Sequence, residues 1–185
     1  MNTKRQIKTF KEYQTLALTT AIYPRNDEDN NYVALGMLGE SGEIADKLKK
    51  MLRDDDGILT DERAKGIALE IGDVMWYVAN YAKDNRIFID YDLTKEEMVL
   101  KDFATVMLPV EICGVVSEIF WHGRGYYKNF KKKRKVRAKL IDIMDLLAVL
   151  SKRINYSLKD CCEMNIKKLE SRVQRDSIHG SGDYR

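Results

Sequence analysis

The sequence predicts an all-α protein, a helical bundle with little or no sheet, and three observations carry that prediction. Only two prolines and eleven glycines interrupt 185 residues. A third of the residues, 33%, are charged. The apolar residues recur with the 3.6-residue period of helices that bury one face, not with the two-residue period of strands.

In chain order, that period places helices over residues 9–22, 32–53, 61–85, 94–108, 110–121 and 135–155, and a last one over 157–172. The first stops before Pro24, and the polar stretch RNDEDNN separates it from the second. The second is ended by DDDG. Thr94, with Glu97 three residues on, reads as a capping box that opens the fourth, which ends at Leu108 or passes through Pro109 with a kink. Ser157 caps the last. The closing stretch DSIHGSGDYR has two glycines and no periodicity, and reads as a tail.

The length fits a single domain over residues 1–185, with an ordinary apolar share of 44%. Cys113, Cys161 and Cys162 show neither a paired framework nor metal-ligand spacing, which fits reduced thiols of a cytoplasmic protein. The start, MNTKRQIKTF, lacks the apolar core of a signal peptide, and no apolar run approaches the roughly 20 residues that span a bilayer. No membrane partner is expected.

Charge is unevenly spread. From His122 to Lys139 there are nine Lys or Arg and no acid, so the rest of a chain that totals +3 sums to −6. Such a run is usually a solvated face, and nucleic acid is not the expected partner, although phosphate attraction is the other physical use of it.

The chain also resembles itself. GESGEI, Gly39 to Ile44, aligns with GVVSEI, Gly114 to Ile119, in glycine, glutamate and isoleucine. EIGDVMWYVA from Glu70 aligns with DIMDLLAVLS from Asp142 in both acids. Glu43 to Glu70 is 27 positions and Glu118 to Asp142 is 24, so a helical hairpin reads as duplicated. Repeat one would cover about 9–85, a degenerate repeat two about 94–172, and the tail 173–185. Val115 stands where Glu40 does, which leaves the second copy one acid short.

Glu40 and Glu43 lie three apart on one helix, and Glu70 and Asp73 three apart on the next, both pairs inside apolar windows. If the two helices are antiparallel and these stripes face each other, four carboxylates converge. They cannot all stay ionised without cations. An all-oxygen donor set with no nearby histidine or thiol favours magnesium, with manganese as a substitute, over zinc. A ferritin-like di-iron site is disfavoured, because His122 and His179 sit in loop-like stretches and no Glu-x-x-His is present.

ALGMLGESGEIADKLKKMLRD followed by ALEIGDVMWYVANYA resembles the all-α, MazG-like nucleoside triphosphate pyrophosphohydrolases, relatives of the dimeric dUTPases and dCTP pyrophosphatases. Their hallmark is E-x-x-E, a spacer, then E-x-x-D, which here reads Glu40, Glu43, 26 residues, Glu70 and Asp73. The closing NIKKLESR matches the family's N-x-x-K-L-x-x-R, and the glycine-containing tail resembles one branch of it. The likeness covers about 9–83 and 157–185. Roughly 70 residues intervene where simple members have none, which makes the chain look like a covalent pseudo-dimer of two tandem repeats.

The resemblance implies a cytoplasmic enzyme of nucleotide pool sanitation that cleaves a (deoxy)nucleoside triphosphate between its α and β phosphates. Glu40, Glu43, Glu70 and Asp73 would hold magnesium, and Glu40 or, with slight preference, Glu43 would take the proton of the attacking water. Lys47 and Lys50 would meet the outer phosphates, unless they are ordinary salt-bridge partners of Glu43 and Asp46. Tyr77 and Asn80 would lie near the sugar or base, with Trp76 in the core. Asn165, Lys168 and Arg172 form a stripe on the closing helix, and Gly180, Gly182, Asp183 and Arg185 would close over the phosphates. A homodimer is a further partner the family allows. The competing reading is a non-catalytic helical module that binds nucleic acid or an acidic partner through residues 124–139.

Overall fold

Thr9 opens the first helix as the sequence requires. Its hydroxyl accepts from the Glu12 N–H at 3.3 Å, and its own N–H donates to the Glu12 carboxylate at 2.9 Å, a reciprocal capping box. In the computed structural model, which describes residues 7–24, 31–95, 104–123 and 130–175, six α-helices follow one another. They are α1 (Phe10–Ala17), α2 (Asn31–Asp54), α3 (Asp61–Asp84), α4 (Leu108–Gly123), α5 (Phe130–Arg153) and α6 (Leu158–Gln174). The all-α class is therefore as predicted, and no strand occurs among the described residues. A single bridge ties Thr9 to Asp92.

Several boundaries moved. The first helix gives way after Ala17 to a 3-10 turn, Leu18–Thr20, so it falls short of residue 22. Most of the helix expected over 94–108 lies outside the described residues, but Thr94 spends its N–H and hydroxyl on Asp92 Oδ1, at 2.8 and 2.6 Å. Pro109 sits in the first turn of α4, where its missing N–H costs nothing, so it begins a helix instead of kinking one. The same helix runs on to Gly123 and takes His122 out of the expected loop. α5 starts at Phe130, five residues earlier than the period indicated.

α2 and α3 form an antiparallel hairpin. Asp56 and Gly57 close α2 in the left-handed region, at φ 52° and 76°, and the Gly57 N–H bonds back to the Met51 carbonyl at 3.2 Å. Thr60 then caps α3 through the Arg63 N–H at 3.2 Å. Ile44, Ile67, Ile71 and Met75 are fully buried on the faces of this hairpin. α4 and α5 pair as a second hairpin around Ile112, Ile119 and Leu140, and the two hairpins meet mainly through α2 and α4. At about 1.5–3 kcal/mol for each buried Leu, Ile or Met side chain, this shared apolar core dominates the stability. α6 lies against α3, and α1 packs across both.

Candidate active site

Helical spacing and the hairpin together assemble the site. Glu40 on α2 faces Glu70 and Asp73 on α3, and one carboxylate oxygen from each lies within 4.8 Å of the other two. Glu70 is only 4% exposed. Burial, with the Asp73 and Glu70 charges beside it, pushes the Glu40 carboxyl up to about 8. Burial also raises Glu70 above the usual carboxylate range, moderated by Lys47. Three oxygens crowded with surplus negative charge suit a hard divalent cation.

Protein cations partly meet that charge. Lys47 Nζ lies 2.9 Å from Glu70 Oε1, a contact across the hairpin. Lys168 on α6 forms an ion pair with Asp73 Oδ2, and the Asn165 amide donates to Asp73 Oδ1 at 2.8 Å. Asn165 is itself held by the Tyr13 hydroxyl, which donates to its Oδ1 at 2.9 Å.

α6 can come this close because position 72 has no side chain. A Cβ there would stand 2.7 Å from Asn165 Cβ and 2.8 Å from the Cys161 carbonyl oxygen. Gly36 does the same for Tyr77, whose ring would lie 2.1 Å from a Cβ at position 36. Mid-helix glycines are the sequence signal for such approaches. Tyr13 gave none, being one more apolar-face aromatic.

The remaining predicted residues divide. Glu43 is exposed and stays outside the group of three. Lys50 pairs with Asp46 at 2.6 Å, the ordinary i,i+4 partner. Tyr77 stands one turn beyond Asp73, edge-on to Trp76 at 5.0 Å, in an aromatic group with Tyr23 and Tyr32. Asn80 is a correction: it is fully buried, donating to the Trp76 carbonyl at 2.8 Å and accepting from the Tyr23 hydroxyl at 3.3 Å. In this structure its amide is thus engaged by its own helix and by Tyr23. Trp76 is half-buried, with its Nε1 donating to the Ala17 carbonyl and the Thr20 hydroxyl, at 3.1 and 3.0 Å, in line with a core role. Arg172 is buried near the end of α6. Gly180, Gly182, Asp183 and Arg185 lie outside the described residues.

The second hairpin holds no comparable cluster among the described residues. Val115 packs on the core, Lys139 sits 3.0 Å from Glu118 and 3.5 Å from Asp142, and Tyr91 donates to Asp145 at 2.8 Å. Every acid that aligns with the site thus has a protein partner.

No helix among the described residues is long and apolar enough to cross a membrane. Comparison with known proteins finds no matching family model and no matching solved structure. A curated relative, the Gene 37 protein of Mycobacterium phage L5, is 48% identical over 82 residues, covering 42% of this chain and 72% of the phage protein. With nearly half the residues identical across most of that protein's length, the chain belongs to the family of the mycobacteriophage L5 Gene 37 protein.

Proposed function

We propose that the chain is a magnesium-dependent, MazG-like nucleoside triphosphate pyrophosphohydrolase that converts a (deoxy)nucleoside triphosphate to its monophosphate and pyrophosphate. The observation that carries this reading is the convergence of Glu40, Glu70 and Asp73, three carboxylates from two helices within 4.8 Å. Their all-oxygen donor set and the raised Glu40 carboxyl fit a hard divalent ion, magnesium or manganese. Such an ion, when bound, supplies charge neutralisation for the phosphates and orientation for an in-line attack.

The other roles fall to residues of the chain. Glu43, one turn along α2 and outside the group of three, is the carboxylate left to take the water's proton. Lys47 and Lys168 sit at the edge of the acids, where their ammonium groups can turn from Glu70 and Asp73 to substrate phosphates. Tyr77 and its aromatic neighbours lie one turn further on, on the side where a sugar or base would extend. The second hairpin, on this reading, is a duplicated copy whose acids have become internal ion-pair partners, so each chain carries one site, in a homodimer or alone.

The test is pyrophosphate release from a panel of nucleoside triphosphates with and without magnesium. Metal-dependent release of equimolar monophosphate and pyrophosphate is the expected result. No release from any ribo- or deoxynucleoside triphosphate would overturn the proposal.

A further inference from the structure

We propose that the amino-terminal half of α5 is a docking surface for single-stranded nucleic acid, separate from the carboxylate site and independent of the activity proposed for it. The sequence alone reads this stretch as a solvated loop or helix start. The structure makes it helix from Phe130 onward, which fixes where its charges point.

Lys131 through Lys135 are five successive cations, followed by Arg137 and Lys139. Val136 and Leu140 form the buried seam, while Lys131, Arg134, Lys135 and Ala138 are exposed along the opposite side. At 100° per residue the basic side chains cover all of the circumference outside that seam, over about 12 Å of helix axis. Lys139 has acidic partners, and Arg137 donates its Nε–H to the Phe88 carbonyl at 2.9 Å. No acid stands in the first three turns of α5. The positive end of a helix dipole disfavours cations, so this arrangement works against the helix that carries it. An anion that spans the face would offset that cost.

Aromatic side chains flank the charge. Lys139 meets Glu118 across the α4–α5 hairpin, and antiparallel packing then sets residue 121 level with about residue 136. Trp121, 63% exposed, follows Glu118 by one helical turn on α4, and that register would bring it near the Lys135 turn. Phe88, 69% exposed, adjoins Arg137. A basic strip that tracks phosphates, next to aromatic faces on which unpaired bases stack, is the chemistry of single-strand binding. A duplex would engage the cations but leave the aromatic faces unused.

The experiment is fluorescence anisotropy of a dye-labelled oligothymidylate titrated with the full chain over a series of salt concentrations. Lys133→Ala/Arg134→Ala/Lys135→Ala should weaken binding at least tenfold at low salt. It should also flatten the slope of log affinity against log salt by about 2, from about 0.7 per lost phosphate contact. Ala138→Glu, which sets an acid in the strip at an exposed helical position, should weaken binding in the same way. Trp121→Ala should cost about fivefold or more on the single strand and much less on a duplex of the same length. Arg134, Lys135, Ala138 and Trp121 are exposed and Lys133 is half-buried, so unchanged melting temperatures show that lost binding is not lost fold.

The proposal is overturned if the triple variant and Ala138→Glu bind as tightly as the wild type at every salt concentration. It is also overturned if the wild type does not bind. An oligoaspartate of equal charge that displaces the probe as well as unlabelled oligothymidylate does would assign the face to acidic protein segments instead.

Discussion

Gly72→Ala isolates the packing that brings α6 to the acids. The new Cβ would meet Asn165 Cβ at 2.7 Å and the Cys161 carbonyl oxygen at 2.8 Å. The second of these is backbone and cannot rotate away, so α6 must retreat by several tenths of an ångström to about 1 Å to restore ordinary contact. Overpacking of this kind costs about 1–3 kcal/mol, and the better helix propensity of alanine returns about 1. The net loss is then about 1 kcal/mol, a fall in melting temperature of about 2–4 °C for a chain of this size. The effect on the site is larger in proportion. The Asn165 bond to Asp73, now 2.8 Å, would lengthen past hydrogen-bonding range, and Lys168 would withdraw with it. A displacement of about 1 Å can cost about a hundredfold in rate, so pyrophosphate release should fall by that order while the fold survives. Gly114→Ala is the control, because its Cβ would meet nothing within 4 Å. Only the propensity gain of up to about 1 kcal/mol remains there, and melting should rise. The paired measurement is thermal unfolding and pyrophosphate release on both variants. If Gly72→Ala melts higher, as Gly114→Ala does, the close approach of α6 does not depend on this glycine and the reasoning fails.

Three further outcomes follow from the same contacts. Because the Glu40 carboxyl rises from its ordinary 4.5 to about 8, the folded protein keeps a proton that the unfolded chain has released. Metal-free stability should therefore fall as pH rises between those values, and Glu40→Gln should lessen that fall, leaving the part due to the raised Glu70, and abolish the hydrolysis; a flat wild-type profile of urea midpoints in chelator would contradict this. Asp73→Asn should also abolish hydrolysis but lower metal-free stability, since Lys168 loses its carboxylate; a stability equal to or above wild type would show that ion pair to be idle. Asn80→Ala should cost about 1–2 kcal/mol by denaturant unfolding and leave KM unaltered, because its amide bonds only to Trp76 and Tyr23. A selective rise in KM would return it to the substrate site.

The helices that carry an apolar stripe were legible almost to the residue, as α2 and α3 show. α5 began five residues earlier than read because Lys131 to Lys135 carry no apolar period, and a helix start made only of cations leaves no trace in hydrophobic spacing. The convergence of Glu40, Glu70 and Asp73 could be read from paired spacings on adjacent helices. That Glu43 stands aside does not follow from spacing alone, since Glu70 and Asp73 have the same offset and both join the group; it follows from which edge of α2 faces solvent. Lys47 lies about 20° from Glu40 around the axis, while Glu43 lies about 60° away, toward solvent. Asn80 misled for a tertiary reason. It shares the angular face of Asp73, but two turns further along, where Tyr23 and the 3-10 turn at Leu18–Thr20 cover that face. Nothing in the local sequence says which segment will lie over a helix face.

The two hairpins show how one arrangement can hold either a site or a scaffold, if they descend from one duplicated unit. In both, acids on paired helices face one another and a lysine answers them. In the second hairpin Lys139 spans Glu118 and Asp142, the Tyr91 hydroxyl donates to Asp145, and the position of Glu40 is the apolar Val115, so each aligned acid has a protein partner. In the first, Lys47 and Lys168 answer Glu70 and Asp73, and Glu40 remains as a third carboxylate in their midst, which is where burial and repulsion raise its proton affinity. The difference between the hairpins is thus Glu40 itself, a partly buried carboxylate where the second hairpin has a valine. On the proposed reading a divalent ion would relieve that crowding, and Lys47 and Lys168 would then be able to meet substrate phosphates. On that reading Glu40, more than either ion pair, would be the residue that makes the first hairpin a site.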